Sequence, residues 1–140
     1  MNSVGTFRYS PTLNGSLMRR DGGTTRWWLI IDCDPELGRF SRHLLVQGTY
    51  RTRTVQSPLW GTHISVVRGE EPPLKAAWER LNGQEVEFEY EPVIRETDGY
   101  LWVPIRCEAA LTHRQELGLQ REPDPPLHLT IGNLKHEESV

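Results

Sequence analysis

Residues 1–25 show neither a sustained alternation nor a helical repeat and are rich in Gly, Ser, Thr, Asn and Arg. Such composition predicts an irregular N-terminal arm. Periodicity begins in RWWLIIDCD, where the bulky and branched run Trp27 to Ile31 predicts a buried strand. Asp34-Pro35 then supplies an N-cap and a first-turn proline, Leu37, Phe40 and Leu44 recur at helical spacing, and Gly48 can end the helix. TYRTRTVQ reads as a polar connection or edge strand, and LWGTHISVVRG as the next strand. PPLKAAWERLNG predicts a second helix, with Leu74, Ala77, Trp78 and Leu81 as its apolar stripe and Asn82-Gly83 as its stop. VEFEYE alternates strictly, so Val86, Phe88 and Tyr90 face one way and the glutamates the other, as in an antiparallel strand with one wet face. TDG signals a turn into YLWVPIRC, whose Pro104 implies an edge or a bulge. EAALTHRQELG predicts a third helix ended by Gly118, REPDPP a rigid loop, LHLTIGNLK the last strand, and residues 136–140 a polar tail.

Strand, helix, strand, helix, hairpin, helix, strand is the order of an α+β domain in which helices cover a mostly antiparallel sheet. Nothing resembling a linker divides the 140 residues, so one domain is expected over 1–140. Composition adds limits: 36% hydrophobic and 25% charged residues are ordinary for a globular chain, and no apolar run approaches the ~18 residues of a membrane span. No apolar leader segment opens the chain, and Cys33 and Cys107 form no CxxC pair, so a cytoplasmic protein with buried thiols is expected, a disulfide being the alternative. A net charge of −3 argues against a surface built for general nucleic-acid binding while allowing a small nucleotide held by local donors.

The chemistry lies in a repeated pattern. In WGTHISVV, His63 and Ser65 share one face of a strand whose other face carries Thr62, Ile64 and Val66. In LHLTIGN, His128 and Thr130 do the same opposite Leu127, Leu129 and Ile131. Of the five histidines, only these two are followed two residues later by a hydroxyl residue. The spacing suggests two similar half-domains whose central strands meet about a pseudo-twofold axis and line one groove. Two imidazoles titrating near pH ~6.5 can divide general acid and base roles at a phosphorus centre, with Ser65 and Thr130 donating to non-bridging oxygens. Such a scheme calls for no metal or other cofactor, because imidazolium and hydroxyl donors supply the stabilisation. Neither histidine has a third ligand at metal spacing, so a zinc site is a poor match.

The motifs HIS (63–65) and HLT (128–130), each behind a helix-then-strand unit, resemble those of the 2H phosphoesterase superfamily. The resemblance covers about Trp27 to Leu134. It implies a bilobal fold with antiparallel sheets of two pseudo-symmetric lobes around a central groove and helices outside, metal-independent chemistry, and His63, Ser65, His128 and Thr130 as the catalytic tetrad. It also implies a phosphoric diester hydrolase. The compact size is similar to that of phage anti-CBASS enzymes, whose substrates are cyclic oligonucleotide signals, and would place the protein in the host cytoplasm. An RNA 2′,3′-cyclic phosphodiesterase acting on RNA ends is the nearest alternative, and a non-catalytic nucleotide-binding module is the alternative of another class. The short interval between motifs and the serine in the first depart from the RNA ligase-like branch.

Tyr9 is the candidate platform for stacking a base if the arm folds over the groove, with simple anchoring of the arm as the competing role. Trp60 is a candidate groove wall, although core packing is the stronger reading, and Trp27, Trp28, Trp78 and Trp102 read as packing residues. Arg68 and Lys135 follow the two histidines at comparable distances and are candidate substrate-binding cations. Arg19, Arg20, Arg51 and Arg53 read as solvated surface, as do His113 and His136, while His43 suits a helix C-terminus.

Overall fold

The computed structural model describes residues 1–12, 24–34, 36–37, 55–56 and 62–134. Eight strands are present among these: β1 Asn2–Tyr9, β2 Trp28–Cys33, β3 Val55–Gln56, β4 His63–Arg68, β5 Glu85–Tyr90, β6 Arg95–Thr97, β7 Tyr100–Arg106 and β8 His128–Leu134. One α-helix described along its length, α1 (Glu108–Glu116), and a 3-10 turn at Lys75–Ala77 accompany them, and residues 36 and 37 are also helical.

The strands run antiparallel in the order β3-β8-β4-β2-β1-β5-β7-β6, and β8 also pairs with β7. That last pairing closes β4, β2, β1, β5, β7 and β8 into a six-stranded barrel, with β3 and β6 as short extensions. A closed barrel leaves no long edge to cover, and its interior is just large enough for side chains to fill. Phe7, Tyr9, Leu29, Ile31, Cys33, Ile64, Val66, Val86, Phe88, Leu101, Val103, Leu129 and Ile131 fill it. Ala110, Leu111 and Leu117 of and just beyond α1 join the same cluster.

The bilobal α+β arrangement with helices outside two lobes is therefore overturned: the described residues form one mostly-β barrel, and α1 is the one helix seen along its length among them. Two local readings account for the error. The first is the N-terminal arm, whose residues 2–9 form β1, wedged between β2 and β5. Its inward residues, Gly5, Phe7 and Tyr9, give too short an alternation to stand out, and the first has no side chain. Gly5 is required there because a Cβ would collide with the Ile31 side chain and lie 2.9 Å from the Asp32 carbonyl.

The second is the helix expected over 72–83. Only Lys75–Ala77 is helical, as one 3-10 turn; Trp78 is already extended at φ −64°, ψ 136°, and irregular turns follow to Gly83. Tertiary contacts outweigh the propensity: Trp78 packs edge-on against Tyr9 and Trp27 with centroids 4.9 and 5.1 Å away. Asn82 accepts a hydrogen bond from the Tyr9 amide at 3.3 Å instead of stopping a helix.

Other segments follow the pattern read from the sequence. The Asp98-Gly99 pair takes positive φ values of 50° and 81°, the mirror-image turn that suits a hairpin between β6 and β7. Helix α1 ends where Gly118 adopts φ 81°, with Leu119 N–H donating to the Arg114 carbonyl and Gly118 N–H to that of Gln115. Asp34 accepts the Glu36 amide on its side chain at 2.9 Å, as a capping residue does. The rest of the helix expected through Phe40, Leu44 and Gly48 lies outside the described residues, as do His43, Arg19, Arg20, Arg51, Arg53, His136 and the tail. Both cysteines are free thiols buried in the core, and desolvation pushes Cys33 up to about 12.

Candidate functional site

Strands β4 and β8, which carry the two H-x-S/T motifs, are hydrogen-bonded neighbours. Their register sets His63 across from Thr130 and Ile64 across from Leu129. One residue further along each strand come Ser65 and His128. Because Ile64 and Leu129 point into the barrel, strand alternation turns His63, Ser65, His128 and Thr130 to its outer face. In such a pair directly opposed Cβ atoms lie about 5 Å apart and diagonal residues such as His63 and His128 about 7–8 Å apart. All four groups thus share one patch on a single sheet, where a groove between lobes was expected.

The surroundings of the two motifs are alike. His63 meets Trp28 of β2 edge-on, centroids 5.5 Å apart at 85°, and His128 meets Trp102 of β7 at 5.7 Å and 67°. A β-bulge follows each motif. On β4, Ser65 pairs with Ile30 and Val67 with Leu29, so Val66 is the extra residue. On β8, Thr130 pairs with Trp102 and Gly132 with Leu101, so Ile131 is the extra residue. Bulges of this kind re-aim the side chains beside them and are frequent next to active sites.

Hydrogen bonds fix the proton positions. A carbonyl can only accept, so the 2.9 Å contact from His128 Nδ1 to the Pro126 carbonyl places the proton on Nδ1. In the neutral ring this leaves the Nε2 lone pair for a proton or a ligand. Trp28 Nε1–H donates to Ser65 Oγ at 2.9 Å, so the serine keeps its own proton to give away. The patch is partly closed: His63 is 8% exposed and Trp28 1%, while Ser65, His128, Thr130 and Trp102 are half-buried.

Around this patch the register continues. One row across five strands reads Thr6, Asp32, His63, Thr130, Trp102. Asp32 therefore stands directly opposite His63 on the side away from Thr130. Its carboxylate is 3.5 Å from Arg8 of β1. Sequence reading singled out neither Asp32 nor Trp28 as a site residue, because nothing local marks a residue whose importance comes from pairing with a strand thirty positions away. Among the described residues no three His, Cys, Asp or Glu side chains come together as metal ligands would.

Of the other candidates, Arg68 sits with its guanidinium 5.4 Å from the centroid of the Trp28 ring, close to the patch. Trp60 and Lys135 lie outside the described residues. Tyr9 is elsewhere. It points into the barrel, 7% exposed, and its hydroxyl is 2.6 Å from His113 Nε2. The Leu81 amide donates to the same hydroxyl at 3.2 Å. His113, expected at the surface, is 1% exposed, and its Nδ1–H donates to Glu116 at 3.0 Å. The imidazole and the Arg80 guanidinium hold the Glu116 carboxyl below its usual range.

Tyr9 is thus an anchor of the core and not a platform for a base. Tyr9→Phe is expected to lower stability by about 1–2 kcal/mol, since it leaves the Leu81 amide and His113 Nε2 without their partner. Substrate affinity should not change. Burial also raises the Tyr9 phenol above its ordinary value. The unfolded chain then releases this proton at lower pH than the folded one, so the wild type loses stability as pH rises through about 10. The variant lacks that component. Thermal melts at pH 7 and pH 10.5 for both proteins, with a binding titration, check all three expectations.

No protein-family model, curated protein or solved structure matches this chain.

Proposed function

We propose that this protein is a phosphodiesterase that hydrolyses cyclic nucleotides or cyclic oligonucleotides by two-histidine general acid–base catalysis. The observation that carries the reading is the register of β4 against β8, which gathers both imidazoles and both hydroxyls on one outward face. In the reaction, water attacks phosphorus while one imidazole takes its proton. The other imidazole gives a proton to the departing ribose oxygen as the P–O bond breaks. The hydroxyls of Ser65 and Thr130 donate to the non-bridging oxygens, where negative charge builds up. Ser65 suits this role because its oxygen already accepts from Trp28 and its proton remains to be donated. Arg68, beside Trp28, adds positive charge near the incoming phosphate. A phage protein that degrades host antiviral cyclic oligonucleotides is the biological setting this chemistry fits.

The test is direct. The purified protein is incubated in EDTA with cyclic dinucleotides, cyclic trinucleotides, 2′,3′-cyclic mononucleotides and an RNA ending in a 2′,3′-cyclic phosphate, and products are resolved by chromatography. Cleavage of a cyclic nucleotide or cyclic oligonucleotide is expected. Cleavage of the RNA end alone would move the protein to RNA end processing. Binding without turnover of any substrate would make it a nucleotide-binding module and overturn the enzymatic reading.

A further inference from the structure

The two histidines face different partners, and this difference separates their roles. Cys33 N–H donates to the Thr62 carbonyl at 2.9 Å, which makes Cys33 and Thr62 a hydrogen-bonded pair of the antiparallel β2–β4 ladder. The pattern alternates, so the next pair, Asp32 and His63, is of the non-hydrogen-bonded type. In that type the Cα atoms approach to about 4.5 Å and side chains on the shared face lie closest. Backbone register alone thereby sets Asp32 directly opposite His63 on the same outward face. Gly5 helps to fix this, because its missing side chain lets β1 close against the Asp32 backbone.

Resting on the phosphodiesterase reading, we propose that Asp32 is the positioning residue for His63 and keeps its ring protonated as the general acid, while His128 is the general base. A carboxylate neighbour favours the imidazolium form. His128 has a neutral neighbour instead, the Pro126 carbonyl, which fixes its Nδ1 proton without compensating a charge and leaves Nε2 as the lone pair. Other described groups around His63 act in known directions. Arg8 of β1 competes for Asp32 at 3.5 Å and weakens its hold. Arg68, over the Trp28 ring, and His128, diagonal on β8, both disfavour a second positive charge. Trp28 of β2 and Thr130 of β8 are neutral. Among the described residues of its two neighbouring strands, Asp32 is the acid on the face of His63, and it stands directly opposite.

The experiment reads each imidazole separately by NMR titration of the whole protein, alongside the pH profile of kcat/KM. In Asp32→Asn, the His63 midpoint should fall by about half to one pH unit while that of His128 stays in place. Arg8→Gln should move the His63 midpoint the other way, because Asp32 loses its competitor. The high-pH limb of the rate profile, which reports the protonated acid, should shift with His63 in both variants. The low-pH limb should not move, and in Asp32→Asn kcat should fall about tenfold with little change in KM. An unmoved His63 midpoint in Asp32→Asn, with turnover intact in the wild type, would overturn the Asp32 assignment alone. A shifted His63 midpoint in a protein that turns over no substrate would overturn the catalytic roles and the phosphodiesterase reading together, leaving only the pairing.

Discussion

Replacing His128 or His63 by alanine is expected to lower kcat/KM for a cyclic phosphodiester by about 10²- to 10⁴-fold, the range that a positioned general acid or base contributes. The double variant should be little worse than the poorer single one, since each ring is useless without its partner and such effects do not add. Affinity for an uncleavable phosphorothioate should change far less, because Ser65, Thr130 and Arg68 remain to hold the phosphate. The two proteins should also differ in stability. His63 is nearly buried against Trp28, so its removal leaves a void, whereas half-buried His128 loses mainly one bond to a carbonyl. Steady-state kinetics paired with thermal melts separates the effects. Turnover surviving in the double variant would show that this patch is not where the reaction happens.

The second large effect is structural. Arg114→Leu should destabilise the fold by about 3 kcal/mol, which for a chain of this size lowers the melting temperature by roughly 10 °C. Arg114 is 1% exposed and makes four hydrogen bonds that no other residue could make together. Nη1 and Nη2 clasp Glu70 at 2.8 and 3.1 Å, Nη1 also reaches the Val66 carbonyl at 2.8 Å, and Nε reaches that of Gln120 at 2.8 Å. Glu70 is 43% exposed and can rehydrate when the arginine is gone, so most of the cost falls on the buried carbonyl of Val66. Val66 is the extra residue of the β4 bulge, and Arg114 ties that bulge to α1. Arg114→Lys should recover little, because an ammonium cannot reproduce the planar fork. Chemical denaturation of the three proteins gives the measurement.

Much of the secondary structure was legible locally. Trp28–Cys33, Glu85–Tyr90 and His128–Leu134 announce themselves by runs or alternation, and α1 by its spacing and Gly118. The faces of the two motifs follow from alternation alone. Closure of the sheet was not legible, because it depends on β8 pairing with both β4 and β7, a choice among strands that no single segment encodes. The barrel was further hidden by β1, whose inward set is one glycine and two aromatics, and by the false helix at 72–83, whose Trp78 packs against Tyr9 and Trp27. His113 looked like a surface residue for the same reason: its partner Tyr9 is distant in sequence, as Glu70 is from Arg114.

Strand β8 has two duties that fall due together. It is the last of the described strands to be synthesised, it joins β4 to β7, and it brings His128 and Thr130 to His63. A nascent chain that has not yet emerged past residue 127 holds half of the patch on an open sheet. The barrel is completed and the two motifs meet through the same strand, so a sheet without β8 has an unsealed edge and only half of the patch.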